Sequence, residues 1–209
     1  MFWYHFFAYW TTVLVCTWFD RHHLFVKFPW RRSENVHPES WDIVSVFFNQ
    51  FCLTWPLTHV VKPWINQTYQ AVSWASWITY ALGLLIIEEV CFYYSHKLLH
   101  KPWWYQRIHW WHHRWTEPVA AMAISAHPVE HILSNLLPLA AGVVLLQTPP
   151  QVSVIWVIIA TINAVLSHSG YLTWSQGKHD LHHKYRNGNY GVLGLLDWWH
   201  GTQIPAPHE

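Results

Sequence analysis

Charge is what this chain has least of. Only 11% of its 209 residues are Asp, Glu, Lys or Arg, against roughly 25% in soluble globular proteins. That scarcity argues against a freely soluble domain. The formal net charge is +1, so no basic field suggests nucleic acid as a partner. Cysteine is scarce too. Cys16, Cys52 and Cys91 each sit in an apolar run, and no two share a CxxC spacing. A disulfide framework and a thiolate zinc site are excluded on that pattern, and the three read as small hydrophobes. There is no internal repeat and no low-complexity linker, so residues 1–209 are read as one domain.

The chain is rich in two things. The 18 Trp, 10 Tyr and 10 Phe suit a membrane–water interface, where an apolar ring body and a polar edge are both satisfied. The 18 His outnumber the 12 Lys and Arg.

Apolar runs cover residues 1–19, 41–61, 71–94, 132–146 and 152–166. A spanning helix needs about 20 apolar residues, which the first three supply; the last two are short and predict a tilted or re-entrant hairpin. The first run lacks a basic lead-in and a small-residue cleavage site, so it is expected to be a retained segment rather than a cleaved signal. The predicted class is all-α: an integral membrane protein of four to five transmembrane or re-entrant helices. If the chain crosses at all five runs, segments 20–40, 96–130 and 168–209 share one side. That side carries eleven of the twelve Lys and Arg, which assigns it to the cytoplasm. The clustered histidines fall there as well, as a cytosolic cap.

Three clusters stand out: His96-Lys97-Leu98-Leu99-His100, His109-Trp110-Trp111-His112-His113 and His179-Asp180-Leu181-His182-His183. On a helix, residues three and four apart share a face, so each box points imidazoles at a common spot. Eight imidazoles exceed what one four-coordinate ion takes, and two metals fit the number better. Imidazole serves iron, zinc, copper and nickel alike, and a proton relay is the competing use of histidines near a membrane. His127 and His131 form a further HxxxH, and His168 ends the last apolar run. His5, His22, His23, His37, His59 and His208 are expected to be solvated or interfacial. Glu89, Tyr93, His96 and His100 share a helical face. Metal-bound imidazoles usually donate their second N–H to a carboxylate or carbonyl, which makes Glu89, and similarly Tyr93, Glu130, Asp180 and Asp197, candidates to orient them.

These motifs, in this order, resemble the fatty acid hydroxylase superfamily, which includes sterol desaturases and C-4 methylsterol oxidases. The resemblance covers about 84–202. It rests on the stretch from Glu89 through His100, on Lys101-Pro102-Trp103-Trp104-Tyr105 with the His109 box, and on His127-Pro128-Val129-Glu130. His168-Ser169-Gly170-Tyr171, the His179 box, Asn189-Tyr190-Gly191 and Asp197-Trp198-Trp199-His200-Gly201-Thr202 complete it. Lys97 stands where the family usually has Arg, and His200 where it has Phe. The resemblance implies two iron ions and O2 as co-substrate. Electrons would come from NAD(P)H through cytochrome b5 or a reductase. His96, His100, His109, His112, His113, His179, His182 and His183 would be ligands, joined by His168 and His127, with no catalytic residue beyond the metal centre. It implies O2-dependent hydroxylation or desaturation of a lipid: sterol C-4 methyl oxidation first, because of the HPVE segment, with fatty-acid or sphingolipid hydroxylation, sterol desaturation and carotenoid hydroxylation as rivals. The setting would be the endoplasmic reticulum. Trp110, Trp111 and Trp115 would wall the substrate slot. From another class, a His-rich metal transporter would carry its polar residues at the membrane midplane, whereas these boxes lie outside the apolar runs.

Overall fold

A computed structural model describes residues 1–31, 36–171 and 177–206, and every regular element in them is helical. Arg32 and His208, counted above, lie outside the described residues.

Helix α1 spans Phe2–His22. Its buried residues Phe2, His5, Tyr9, Val13 and Cys16 recur every three or four positions, giving one inward stripe. The chain then descends through α2 (Ser40–Phe48), a π-helical turn (Asn49–Thr54) and α3 (Trp55–Val61). Helix α4 (Trp74–Leu99) rises unbroken for 26 residues behind a Ser73 cap that accepts the Ser76 N–H. Short α5 (Pro102–Arg107) and a 3₁₀ helix (His109–Arg114) follow. The next descent is α6 (Pro128–Glu130), a second π turn (His131–Leu136) and α7 (Leu137–Leu146). Helix α8 (Pro150–Ser169) rises again to Gly170, whose left-handed φ of 80° ends it. The closing segment holds α9 (Lys178–Tyr185) and α10 (Leu195–His200).

Three of these helices are long and apolar enough to cross a membrane: Trp74–Leu99, Pro128–Leu146 and Pro150–Ser169. The expected run at 41–61 is interrupted. Pro56 has no N–H to return to the carbonyl four residues back, and the preceding π turn absorbs the defect. Thr54 Oγ1 donates instead to the Asn49 carbonyl at 3.0 Å. Pro138 follows the second π turn in the same way. The two bulges face each other, with Thr54 Oγ1 2.9 Å from His131 Nε2.

The polar segments gather at one end of the bundle, as the alternation of runs predicts. Arg31 donates to the Pro118 carbonyl and to Asp180, Arg114 pairs with Asp42, and the Tyr171 hydroxyl donates to Asp20. This cap sits on the C-terminal ends of α4 and α8.

Below it, α4 and α7 pack closely. A Cβ on Gly142 would stand 2.8 Å from Leu84 Cδ2, and one on Gly83 2.8 Å from Leu146 Cδ1. Overpacking a tight contact costs about 1–3 kcal/mol. A Gly142→Ile variant is therefore expected to lower the thermal midpoint in detergent, while Leu145→Ile, on the exposed side of α7, leaves it in place.

Candidate metal centre

Each histidine reaches the cap from a different kind of backbone. α4 delivers His96 and His100 from its last turn, α8 delivers His168 from its last turn, and α9 carries His179, His182 and His183. The second box is not α-helical as expected but a 3₁₀ turn. Pro102 starts α5 just before it, and Ile108, with backbone angles outside the helical region, separates the two.

Nine imidazoles converge as two sets. His96, His100, His109, His113 and His182 form one; His112, His168, His179 and His183 form the other, with potential ligand atoms of each set within 4.8 Å of one another. The boxes straddle the sets rather than serving one ion each. His109 and His113 join the first set while His112 turns to the second. His179 and His183 join the second while His182 reaches the first. The i, i+4 pairs stay together and the intervening histidine crosses over, which ties the two sets into one unit.

Hydrogen bonds fix how the rings face. A backbone carbonyl can only accept, so a ring nitrogen bonded to one must carry the proton. Nδ1–H of His96 donates to the Tyr190 carbonyl at 2.9 Å, His112 to Ser125 at 3.3 Å and His168 to Ala164 at 2.8 Å. His182 donates to Gly188 at 2.7 Å and His183 to Trp115 at 3.2 Å. In the neutral rings Nε2 is then a bare lone pair directed inward. Yet Nε2 of His168 and His112 lie 3.2 Å apart, and Nε2 of His182 lies 3.0 Å from that of His113 and 3.1 Å from that of His100. His183 Nε2 is buried with no partner at all. No proton is available to bridge His112 and His168 in these tautomers, whereas a cation between them satisfies both. Nitrogens sharing one metal at about 2.1 Å stand roughly 3.0–3.4 Å apart. The donor set therefore fits two metal ions, and an all-imidazole environment suits iron.

Burial, reinforced by neighbouring imidazoles, holds His100, His109, His113, His179, His182 and His183 below the ordinary histidine range. They are neutral, the form that ligates metal.

The carboxylates divide by task. Glu130 Oε2 lies 2.9 Å from His109 Nδ1, beside the ring but off the line of a hydrogen bond. Glu89 touches no imidazole. Its oxygens accept the N–H groups of Leu193 and Leu196, at 2.7 and 3.0 Å, and hold the loop whose Tyr190 carbonyl orients His96. Gly191 lies against the same carboxylate, 2.6 Å from its would-be Cβ. Asp197 accepts from the Tyr190 and Gly191 N–H groups and from the Thr202 hydroxyl. Asp180 also bonds no imidazole; it accepts the Trp30 Nε1–H at 2.7 Å and pairs with Arg31. The Tyr93 hydroxyl meets Thr202 and Lys97 instead of a ligand.

His127 belongs to neither set. Its Nδ1 accepts the Val129 N–H and caps α6. Trp110, Trp111 and Trp115 do not line the cavity below the sets: Trp110 is half exposed and Trp111 stacks on Trp41. His5, expected to be interfacial, is buried, with Nδ1 3.0 Å from Thr161 Oγ1. Cys52 is exposed rather than buried. Arg31 went unnoticed in the sequence, because nothing in a polar loop marks which of several cations is buried.

Under the sets lies a cavity of about 1020 Å³, its open mouth included, bounded by α1, α4, the second π turn and α8. His96, His109, His112, His168 and His179 form its roof. An apolar cavity of about 630 Å³ adjoins it past His5, Leu136 and Leu139.

Two outcomes follow from this geometry. Arg31→Met strands a buried Asp180 carboxylate (side-chain exposures 5% and 2%) and is expected to cost about 3–5 kcal/mol of stability, read by denaturation in detergent. The second concerns acid. On unfolding, the buried imidazoles regain the ordinary value of 6.5 and take up protons that the folded protein refuses. Stability of the metal-free protein is thus full above that pH and falls as pH drops below it. A thermal midpoint unchanged between about pH 8 and about pH 5 would contradict neutral burial.

Comparison with known proteins places the chain in a family. The profile of the family described as fatty acid hydroxylase matches residues 80–202. The chain is 38% identical over 169 residues to fatty acid hydroxylase domain-containing protein 2 of Homo sapiens, covering 77% of this chain and 51% of that protein. It is 26% identical over 207 residues to very-long-chain aldehyde decarbonylase GL1-8 of Oryza sativa subsp. indica, covering 88% and 76%. To methylsterol monooxygenase 2-2 of Arabidopsis thaliana it is 27% identical over 154 residues, covering 66% and 57%. The chain spans about half the length of the human protein. No solved structure matches.

Proposed function

The chain belongs to the fatty acid hydroxylase family, and on that premise we propose that it is a membrane-bound, O2-dependent di-iron oxygenase that oxidises a carbon of a lipid. The observation that carries this reading is the pair of inward-facing Nε2 sets, their tautomers fixed by carbonyls and two of their lone pairs opposed at 3.2 Å. His96, His100, His109, His113 and His182 would hold one iron; His112, His168, His179 and His183 the other. Bound iron supplies the O2 activation that cleavage of an unactivated C–H bond requires and that no side chain can provide.

The protein's own contribution is positioning and dryness. Carbonyls of Tyr190, Ser125, Ala164, Gly188 and Trp115 hold the rings in one tautomer. Glu130 supports His109 from behind. The cavity lies directly beneath the roof of imidazoles, so a lipid carbon can approach them among buried side chains, away from bulk water. The apolar neighbouring cavity has room for hydrocarbon entering from the bilayer. A sterol is the substrate favoured by the His127-Pro128-Val129-Glu130 segment and by the likeness to a methylsterol monooxygenase. A fatty acyl lipid is the second reading, favoured by the higher identity to the human relative. Electrons would come from NAD(P)H through cytochrome b5 or a reductase, delivered to a cap facing the cytosol at the endoplasmic reticulum.

The test is metal analysis beside turnover of the detergent-purified protein. About two irons per chain are expected, with NADPH- and O2-dependent oxidation of a sterol or acyl lipid. His112→Ala and His182→Ala, one from each set, should each lose iron and activity. Full metal content in both variants would sink the assignment of the two sets.

A further inference from the structure

The cavity beneath the imidazoles is not uniformly apolar. His5, Ser134 and Asn163 line it, from α1, the second π turn and α8. Each carries a buried polar atom with no hydrogen-bond partner: Nε2 of His5, Oγ of Ser134 and Oδ1 of Asn163. Buried polar atoms are normally satisfied, and three orphans lining one cavity call for a ligand. None of the three belongs to either metal set. Their surroundings hold them in place. His5 is pinned to Thr161, and the adjoining His131 is pinned by Thr54 and by Asn135.

Their depth is set by α8. Asn163 and Thr161 precede His168 by five and seven residues, which places this polar belt about 7–11 Å below the His168 level.

We infer that the belt is a binding subsite for a hydrogen-bonding oxygen group of the lipid, a hydroxyl above all. That group would sit about 7–11 Å from the carbon presented to the metal ligands. A hydroxyl donates once and accepts twice. It can donate to Asn163 Oδ1 or accept from the Ser134 hydroxyl or a His5 Nε2–H, so each of the three orphans is of a kind that a hydroxyl answers. A plain hydrocarbon answers none. The position of the oxidised carbon rests on the oxygenase reading; the subsite itself does not.

The test is binding, independent of turnover. Two matched pairs are presented to the full-length protein in mixed micelles: cholesterol with its 3-deoxy counterpart, and octadecanol with octadecane. Affinity is read by competition against a tritiated alcohol and by the ligand-induced rise in thermal midpoint. In at least one pair the alcohol should bind about tenfold or more tightly. That preference should vanish in Ser134→Ala/Asn163→Leu, with metal content retained. Should the double variant fail to hold metal, Ser134→Ala alone carries the test, with a preference reduced about threefold. Equal binding within both pairs, or a preference that survives the variants, overturns the subsite and leaves the belt to water. Alcohol-selective binding in a protein without turnover would keep the subsite and remove the oxygenase reading.

Discussion

The structure depends on gathering nine imidazoles into two adjoining, largely buried sets. Nothing about that arrangement is favourable by itself. Neutral lone pairs about 3 Å apart repel, and buried nitrogens without partners cost stability. The arrangement persists because the opposite nitrogen of most rings is tied to a carbonyl. Such carbonyls must be spare. Inside a helix they are already used, so Tyr190, Ser125, Trp115 and Gly188 supply them from irregular backbone. Ala164 is the exception: it lies inside α8, four residues before His168, and its carbonyl takes the ring N–H on its second lone pair.

A cap built on irregular backbone needs fixing, and buried acids do it. Asp42 takes the Arg114 guanidinium and the Ser125 hydroxyl; Asp197 and Glu89 clamp the 190–196 loop; Asp180 binds Arg31 and Trp30. These are buried anions that hold no metal ligand directly yet set the carbonyls that do. Burying such pairs is rarely a gain in stability over apolar packing. Their return is definition: each ties a loop to one position on the bundle.

The helical base performs a separate task. It presents two helix ends to the cap and leaves a cavity beneath it, one wall of which is the second π turn. Relatives named as a fatty acid hydroxylase domain protein, an aldehyde decarbonylase and a methylsterol monooxygenase share homology with this one chain. The spread of those names fits the general rule that one fold hosts several activities, chosen by the site rather than by the architecture.

The sequence by itself determined the all-helical class, and of the nine histidines that the fold gathers into two sets it picked out eight in the three boxes, with His168 also named. Apolar run length and histidine spacing are local properties, legible one residue after another. Tertiary structure alone decided how the boxes are shared. An i, i+4 pair keeps one direction on any helix, but whether the middle histidine turns to the same ion or to its neighbour depends on where the other boxes stand. It likewise assigned Glu89, Asp180 and Tyr93 to the scaffold rather than to the imidazoles, removed His127 to a helix cap, buried Arg31 and turned His5 inward. Each of those outcomes is a contact between residues far apart in the chain, and such contacts exist only once the bundle has closed.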